Sequence, residues 1–417
     1  KVDPMVLVDL AKKVNPVAVI SGTNGKTTTT NLVADCLQTA GVPLYCNREG
    51  NNLQSGIVTS LMLAPDTSKV VDAASAAQAP VGCFECDEMY TKYVLPRLRP
   101  HYFMLLNLFR DQLDRFGEID RIQATIAEAL AKTPETTFVF NGDDPLCAAI
   151  ADRIPNKSLA FGIASDMGLS ADRISDSRFC QKCGGALEYD YVHYGQLGAY
   201  RCPDCGWARP ELAFAATNVR LEEDGFVFDI DGRSVHTGHT GAYMAYNVLA
   251  AYAISKLSGI VSFENYQAAV REYHPTNGRL QTFDLGERKV MTNLAKNPTG
   301  FNQNIRIVLN ERGRVLALFV NDNDADGHDV SWFWDIDFER WSQIEGLRAF
   351  VGGTRENDMQ VRLKYAGIQA EIVENVADVL AATGVDDGKV YIIANYTALP
   401  AVRRELEGLE AAAKGEE

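Results

Sequence analysis

Gly22-Thr23-Asn24-Gly25-Lys26-Thr27-Thr28 is the stretch that decides the fold of this 417-residue chain. An apolar run typical of a buried strand, Val17–Ile20, precedes it, and apolar residues at helical spacing follow it as far as Ala40. Strand, glycine-containing loop and helix in this order present backbone N–H groups to a phosphate at the start of a helix. The stretch therefore predicts an ATP site whose phosphates are bound by Gly22, Thr23, Asn24, Gly25, Lys26, Thr27 and Thr28.

Two side chains of this loop have distinct expected roles. Lys26 would reach the β- and γ-phosphates, and Thr27 would hold Mg²⁺ through its hydroxyl group. Only Thr23 and Asn24 separate the two glycines, whereas the common phosphate loop has four residues there. A glycine turn that merely precedes Lys-Thr is the alternative interpretation, and the flanking strand and helix argue against it.

The apolar pattern on either side predicts an α/β protein. Strands expected from continuous apolar runs alternate with helical patterns, which implies a mostly parallel sheet with helices on both faces. The expected strands of this series are Val81–Phe84, Tyr102–Leu108 and Thr137–Phe140, with a helix over Ile119–Leu130 before the last of them.

A change of pattern after Phe161 indicates further parts. Asn218–Val235 alternates apolar and polar residues, as an antiparallel patch does, and a helix is expected over Ala242–Leu257. A second α/β series begins near Leu280, with strands expected at Val315–Val320, Arg348–Val351 and Val390–Ala394. We therefore expect an ATP-binding domain over residues 1–280, interrupted at about 176–210, and a C-terminal α/β domain over 281–417.

The interruption carries a metal-ligand pattern. Two Cys-x-x-Cys pairs stand 18 residues apart, a spacing that brings four thiolates around one Zn²⁺. Four protein ligands leave no open position, so a structural role is expected; disulfides or free thiols are the alternative. The predicted ligands are Cys180, Cys183, Cys202 and Cys205.

Composition excludes some classes of protein. The net charge is −15, which disfavours a general nucleic-acid binder, although a zinc-ribbon NTPase that binds nucleic acid stays open as an alternative. No apolar run approaches the roughly 20 residues of a membrane span, and the first residues lack the apolar centre of a signal peptide. We expect a cytoplasmic protein.

Several further stretches resemble the Mur ligase family, which also includes folylpolyglutamate synthetases. They are the phosphate loop in its short form, Phe84-Glu85-Cys86-Asp87-Glu88, residues 107–117 beginning Asn107-Leu108-Phe109, Asn141-Gly142-Asp143-Asp144-Pro145, Gly278-Arg279 and Asn293-Leu294-Ala295-Lys296-Asn297-Pro298. The resemblance implies a central phosphate-loop ATPase domain with the inserted four-cysteine zinc ribbon, followed by a Rossmann-like C-terminal domain.

The resemblance also implies roles for single residues. Glu85 would bind Mg²⁺ together with Thr27, and Glu85 and Lys26 would act in catalysis; a solvated carboxylate at a strand end is the alternative for Glu85. Residues implied in nucleotide binding besides the loop are Asn107, Asn141, Asp144, Asn247 and Arg279. The sequence departs from the family at Gln112, where many members have a metal-binding His, at Met244, where related chains have Asn, and at Asn293, where the family has Asp.

Three features resemble one branch of the family. Barely 20 residues precede the loop, so we expect no N-terminal UDP-sugar domain; the four-cysteine module is present; and Asn321–Trp332, Gly353-Thr354-Arg355 and Asn395-Tyr396-Thr397 follow in the C-terminal part. The branch implies ATP-dependent amidation of the D-glutamate α-carboxyl of the lipid II stem peptide to D-isoglutamine, through an acyl phosphate, at the inner face of the plasma membrane.

The ammonia would come from a partner. The sequence offers no nucleophile triad of its own, and the resemblance implies a heterodimer with a glutaminase subunit of the class I glutamine amidotransferase (GatD) type. A Mur-type or folate-type ligase that adds an amino acid is the alternative. By resemblance, Asp329 would orient the catalytic His of the partner, whereas the residues alone do not distinguish Asp329 from Asp322, Asp324 and Asp326 in what could be a solvated acidic turn.

Overall fold

The computed structural model describes residues 5–70, 79–110, 119–173, 175–275 and 278–415. The chain forms two compact units, of which the first reaches Tyr273 and the second begins at His274 and also takes in Asp172. Each unit has its own sheet and its own core. Both sheets are mainly parallel, which confirms the predicted α/β class.

The first unit contains the predicted alternation of strands and helices. Its strands are β1 (Asn15–Ser21), β2 (Leu44–Cys46), β3 (Val81–Glu85), β4 (Tyr102–Leu105), β5 (Thr137–Asn141), β6 (Ser158–Ile163), β7 (Glu188–Tyr194), β8 (Leu197–Arg201), β9 (Leu212–Glu222), β10 (Gly225–Ile230) and β11 (Arg233–His236). Its helices are α1 (Val6–Ala11), α2 (Lys26–Thr39), α3 (Gln54–Met62), α4 (Thr91–Leu98), α5 (Ile119–Ala131), α6 (Pro145–Ala151), α7 (Ala242–Ser258) and α8 (Phe263–Glu272).

In the described residues, nine of these strands form one sheet in the order β11-β10-β9-β6-β5-β4-β1-β3-β2. The strands pair in parallel from β2 to β9, and β10 and β11 add the antiparallel patch. Strand β1 lies between β3 and β4, so the order of connection reverses at its carboxyl end. In open α/β sheets this switch point is where ligands bind, and the phosphate loop follows β1 directly.

Burial explains why β1 was recognisable from its sequence. Val17 to Ile20 are all buried, since a parallel strand in mid-sheet is covered on both faces. Helix α2 is also buried along nearly its whole length, including the four threonines Thr27 to Thr30. It packs chiefly against α7.

A two-stranded hairpin, β7 and β8, stands apart from the main sheet and is bracketed by the two Cys-x-x-Cys turns. The turns match each other: Gly184 N–H donates to the Cys180 carbonyl at 2.9 Å, and Gly206 N–H donates to the Cys202 carbonyl at 3.0 Å. Both glycines have positive φ, at 77° and 74°, a conformation that side chains disfavour.

The second unit is a smaller α/β layer structure. Its strands are β12 (Gln281–Asp284), β13 (Lys289–Leu294), β14 (Val315–Phe319), β15 (Arg348–Gly352), β16 (Ala370–Ile372) and β17 (Val390–Ala394), and its helices are α9 (Pro298–Asn310), α10 (Glu356–Tyr365), α11 (Val376–Ala382) and α12 (Leu399–Lys414). The described strands are ordered β12-β13-β17-β14-β15-β16, and only the β12–β13 pair is antiparallel.

We compared the helices of the described residues with the requirements for a membrane-spanning helix. None combines the length and the apolar character that a crossing of the bilayer requires.

Candidate active site

The phosphate loop is shaped by a close approach to helix α7. Gly25, at the N-cap of α2, has a φ of +88°, and a Cβ there would lie 2.5 Å from Oδ1 of Asn247. Any other residue would meet both backbone strain and this amide. Asn247, implied in nucleotide binding by the resemblance, thus lies directly against the loop, with the buried Met244 three residues earlier on the same helix.

The loop is also tied to the segment that follows β4. Asn107 pairs with the backbone of Asn24, accepting from its N–H at 2.8 Å and donating to its carbonyl at 3.0 Å. The Thr23 hydroxyl accepts from the Phe109 N–H at 2.9 Å and donates to the Phe109 carbonyl at 3.2 Å. The two residues that separate the glycines are therefore held by side-chain and backbone partners more than 80 residues away.

Lys26 is held by an acid that the sequence analysis did not single out. Its Nζ donates to Glu88 Oε1 at 2.9 Å and to the Gly22 carbonyl at 2.6 Å. Burial alone would lower the pKa of Lys26, but the carboxylates of Glu88, Glu85 and Asp87 outweigh it and raise the pKa above its usual value. The lysine is fully charged where phosphates are expected.

Thr27 and Glu85 come together at the carboxyl ends of β1 and β3. The Thr27 hydroxyl donates to Glu85 Oε2 at 2.7 Å, Asn52 Nδ2 donates to Glu85 Oε1 at 2.9 Å, and Asn47 bonds both backbone groups of Glu85. A Cβ on Gly50 would lie 3.1 Å from the Thr27 hydroxyl oxygen. Hydroxyl and carboxylate oxygens beside this cradle are the donor set that Mg²⁺ prefers, so the residues fit the ion.

Asn141 and Asp144 are buried at the carboxyl end of β5 and engaged by protein groups. Asn141 donates to the Leu106 carbonyl at 3.0 Å. Asp144 caps α6 by accepting from the Leu146 N–H at 3.0 Å and also accepts from the Leu108 N–H at 2.8 Å. Burial raises the pKa of Asp144 to about 6 despite these donors.

Three other positions named from the sequence are not among the described residues of the first unit. Arg279 is half-buried in the second unit, just before β12. Asn293 is the second-last residue of β13, and its amide oxygen accepts from the Leu280 N–H at 3.1 Å. Gln112 and the rest of residues 111–117 lie outside the described residues.

The four predicted zinc ligands form one cluster. The Sγ atoms of Cys180, Cys183, Cys202 and Cys205 all lie within 4.8 Å of one another, and none of the four is in a disulfide. A tetrahedron with Zn–S bonds of about 2.3 Å has an edge of about 3.8 Å. The donor set and its spacing therefore fit a structural Zn²⁺.

The three C-terminal motifs converge at the carboxyl ends of β14, β15 and β17. Asn395 bonds both backbone groups of Asn321, at 3.0 and 2.7 Å, and the Thr354 N–H donates to Asn321 Oδ1 at 3.0 Å. Asn323 reaches the Thr397 hydroxyl at 2.8 Å. Segments distant in sequence thus build one loop cluster.

The structure distinguishes the four acids of this cluster. Asp322 is paired with Arg355 at 2.8 Å, and the buried Asp326 accepts from both the backbone N–H and the hydroxyl of Thr397. Asp324 and Asp329 are exposed. Asp324 lies 3.3 Å from Nε2 of His328, whereas Asp329 accepts from the Ser331 N–H at 2.8 Å, and bonding by Ser331 lowers the pKa of Asp329.

Sequence reasoning missed Glu88, Asn47, Asn52 and Gly50. Glu88 belongs to the quoted Glu85–Glu88 stretch, so its acidity beside a strand end was a usable signal. The asparagines and Gly50 carry no signal in the sequence, because only the fold brings the β2–α3 connection next to Glu85.

Comparison with known proteins agrees with this architecture. The sequence profile of the Mur ligase middle domain matches residues 20–255, and that of the MurT ligase C-terminal domain matches residues 294–399. The chain is 33% identical over 411 residues to a protein named lipid II isoglutaminyl synthase (glutamine-hydrolyzing) subunit MurT from Staphylococcus aureus strain N315, covering 97% of this chain and 90% of the relative.

A protein of the same name from Streptococcus pneumoniae R6 is 34% identical over 405 residues, covering 95% of this chain and 88% of the relative. Among solved structures, a pseudomurein peptide ligase type C from Methanothermus fervidus superposes with a TM-score of 0.70 at 18% identity, covering 96% of this chain and 80% of that one. The chain belongs to the Mur ligase family of ATP-dependent ligases, in its MurT branch.

Proposed function

We propose that this chain is the synthetase subunit of an enzyme that amidates the α-carboxyl group of D-glutamate in the stem peptide of lipid II, yielding D-isoglutamine. The observation that carries the proposal is the geometry at the switch point, where the Thr27 hydroxyl lies 2.7 Å from Glu85 Oε2. Lys26, next to Thr27 in the same loop, is paired with Glu88 at 2.9 Å. The names of the MurT relatives support the substrate and the product.

The chemistry follows from the poor leaving group of a carboxylate. Transfer of the γ-phosphoryl group of ATP to a carboxylate oxygen forms an acyl phosphate and ADP. Ammonia then attacks the carbonyl carbon, the C–N bond forms, the C–O bond to phosphate breaks, and inorganic phosphate leaves. Such a transfer requires positioning and charge neutralisation rather than covalent help from the protein.

The chain's own residues supply positioning and positive charge. Backbone N–H groups of Gly22–Thr28 and the helix start bind phosphate oxygens, and Lys26 places its charge on the β- and γ-phosphates. Mg²⁺, held by Thr27 and Glu85, would neutralise phosphate charge during the transfer. Asn47 and Asn52 fix Glu85 in place.

The proposed ammonia source is a separate glutaminase subunit of the GatD type, at the inner face of the plasma membrane. Asp324 and Asp329 are the exposed acids of the loop cluster, since Asp322 and Asp326 are occupied by Arg355 and Thr397. Asp324 lies beside His328, whereas the carboxylate of Asp329 is held by the Ser331 N–H, and the family resemblance selects Asp329. A carboxylate that accepts from a His N–H fixes the tautomer of the ring. Asp329 would do this for the catalytic His of the partner.

Product analysis tests the proposal. With ATP, Mg²⁺ and lipid II, the chain should form the amide from ammonium salts alone and from glutamine only when the glutaminase is added. Addition of a free amino acid to the carboxylate in the absence of a partner would instead establish an amino-acid ligase.

The variant Asp329→Asn tests the partner contact. Glutamine-dependent amidation should fall by at least about a thousandfold, as expected for loss of a triad aspartate, whereas ammonia-dependent amidation should be unchanged. Asp324→Asn, at a position that is also exposed in the same cluster, is the matched control and should retain both activities. Equal loss of both activities in Asp329→Asn would contradict a role in the partner's triad.

A further inference from the structure

The hairpin between the two Cys-x-x-Cys turns ends against the loops that shape the nucleotide site. Gln196, at the tip between β7 and β8, is 1% exposed. Its Nε2 donates to the Leu108 carbonyl at 2.7 Å and lies 3.3 Å from Asp144 Oδ1. The Leu108 N–H in turn donates to Asp144 Oδ2. One side chain of the module thus completes a buried hydrogen-bond cluster, which joins the segment after β4 to the cap of α6.

Leu108, a member of this hydrogen-bond cluster, is flanked in sequence by the two residues that hold the phosphate loop. Phe109, next to Leu108, makes both hydrogen bonds to the Thr23 hydroxyl, and Asn107, on the other side, pairs with Asn24. A side chain at position 195 of the tip is disfavoured, because the φ of Gly195 is +55° and a Cβ there would lie 2.7 Å from the Phe109 ring. Tyr194 packs on the same ring with a centroid distance of 6.0 Å.

A second connection runs through helix α7. Nδ1 of the buried His193 lies 2.6 Å from the Tyr246 hydroxyl, which donates to Asp143 Oδ2 at 2.7 Å. Arg209, just beyond the second Cys-x-x-Cys turn, pairs with the other oxygen of Asp143 at 3.1 Å. Tyr246 precedes Asn247, the residue that lies against Gly25 of the phosphate loop.

The base of the hairpin is anchored separately from its tip. Asp152, at the end of α6, accepts from Trp207 Nε1 at 2.9 Å and pairs with Lys182 at 3.1 Å, so both Cys-x-x-Cys turns are fastened to the same carboxylate. A metal that joins the four cysteines would fix the spacing of the two strands at this end. The tip is then presented to the nucleotide loops by a stiff two-stranded arm.

We propose that the four-cysteine module braces the nucleotide site through its hairpin tip, with Gln196 as the positioning residue. The proposal rests on the proposed function only in taking ATP as the ligand of the phosphate loop. Gln196 contacts Leu108 and Asp144; through Leu108 it fixes the segment of residues 107–109, which fixes Thr23 and Asn24. Its loss is therefore expected to weaken nucleotide binding more than the chemical step.

Nucleotide affinity of the full chain with its partner tests this. In Gln196→Leu, the Kd for ADP·Mg²⁺ by calorimetry and the KM for ATP should both rise about tenfold, the size expected for loss of one or two hydrogen bonds that order a loop. The kcat at saturating ATP should stay within about twofold. Asp190→Asn, at an exposed position on β7 of the same hairpin, is the matched control and should leave Kd and KM unchanged.

Unchanged nucleotide affinity in a folded Gln196→Leu variant would contradict the proposed role of Gln196, and so would a loss of kcat without a change in KM. Absence of ADP binding to the wild-type chain would instead contradict the proposed function. If the variant does not fold, hydrogen exchange on the wild-type chain decides: ADP·Mg²⁺ should slow exchange in the hairpin over residues 190–200, and no change there would overturn the proposal.

Discussion

Glu88→Gln tests how the ligand-free site holds the charge of Lys26. The two side chains are about nine-tenths buried, at 10% and 12% exposure, and their charged atoms are 2.9 Å apart. The substitution keeps the size of the side chain and one hydrogen-bonding oxygen but removes its charge. Lys26 then loses its nearest carboxylate while it stays buried.

The cost can be bounded from this geometry. Removing one partner of a buried pair usually destabilises by about 3–5 kcal/mol, and losing a hydrogen bond to a charged group costs about 1.5–3 kcal/mol. Glu85 and Asp87 still act on Lys26, and the Gly22 carbonyl still accepts from it. We therefore expect a loss near the lower range, about 2 kcal/mol, which is about 4–8 °C in Tm for a unit of this size.

Nucleotide should reverse this loss. Phosphate oxygens at Lys26 replace the missing negative charge, so the destabilisation should shrink to about 1 kcal/mol or less with ADP·Mg²⁺ bound. By linkage, a difference of about 1 kcal/mol between the free and the bound state makes the variant bind ADP about fivefold more tightly than the wild type. The wild type must detach Lys26 from Glu88, whereas the variant has no such pair to break.

Differential scanning calorimetry with and without ADP·Mg²⁺, together with a direct Kd, measures both quantities. Glu135→Gln removes an exposed partner of Arg99 in the same unit and serves as control, with a change of about 0.5 kcal/mol or less. Weaker ADP binding by Glu88→Gln, or a Tm loss that persists undiminished in saturating ADP·Mg²⁺, would refute the reasoning that phosphate replaces Glu88.

Three further predictions concern other parts of the first unit. Glu85→Gln should lower kcat by about a hundredfold or more and raise the Mg²⁺ concentration for half-maximal activity, because an amide oxygen is a weaker ligand; an unchanged Mg²⁺ titration would contradict the role of Glu85. Cys183→Ser should reduce zinc, measured by plasma mass spectrometry, to well below about one per chain, while Cys46→Ser retains it; equal zinc in both would refute the four-thiolate site. The pKa of Asp144 is raised to about 6, so its contribution to stability is complete below its ordinary pKa near 4 and is lost as the pH rises through about 6. Urea unfolding should show the wild type losing about 1 kcal/mol more than Asp144→Asn between about pH 5 and pH 7, and parallel profiles would contradict this.

The strands of both units could be predicted from the sequence because they are buried on both faces. Val17–Ile20 was expected and Asn15–Ser21 is observed; Val390–Ala394 was expected and observed with the same bounds. Such strands appear as continuous apolar runs, which need no knowledge of their neighbours. The four cysteines could be predicted for a similar reason, since the ligand spacing lies within two short turns.

One apolar run led to the prediction of a strand that is too long. Tyr102–Leu108 was expected as a single strand, but β4 ends at Leu105. Leu106 to Leu108 are as buried as the strand itself, and the Leu106 N–H still bonds Ser21 at the end of β1. The Leu106 carbonyl and the Leu108 N–H then bond the side chains of Asn141 and Asp144 instead of a neighbouring strand. Apolar composition reports burial and not hydrogen-bond geometry, so the sequence could not place this end.

The polar contacts of the site were the part that sequence could not supply. Glu88 lies 62 residues from Lys26, Asn47 lies 38 from Glu85, and Gln196 lies 88 from Leu108. None of these side chains sits in a pattern with a period, and each acquires its role only from the order of the strands. The family resemblance predicted residues of the loop and of the strand ends that are expected to contact the ligand. It did not predict the residues that hold those side chains in place.

The short phosphate loop explains why such contacts matter here. The common phosphate loop has four residues between its glycines, whereas only Thr23 and Asn24 separate Gly22 from Gly25 here. Hydrogen bonds from Asn107 and Phe109 hold both residues in the described structure, and that segment is fixed in turn by Asp144 and Gln196. Order in the nucleotide site is therefore a property of the whole first unit, and substitutions far from Lys26 should change ATP binding before they change the fold.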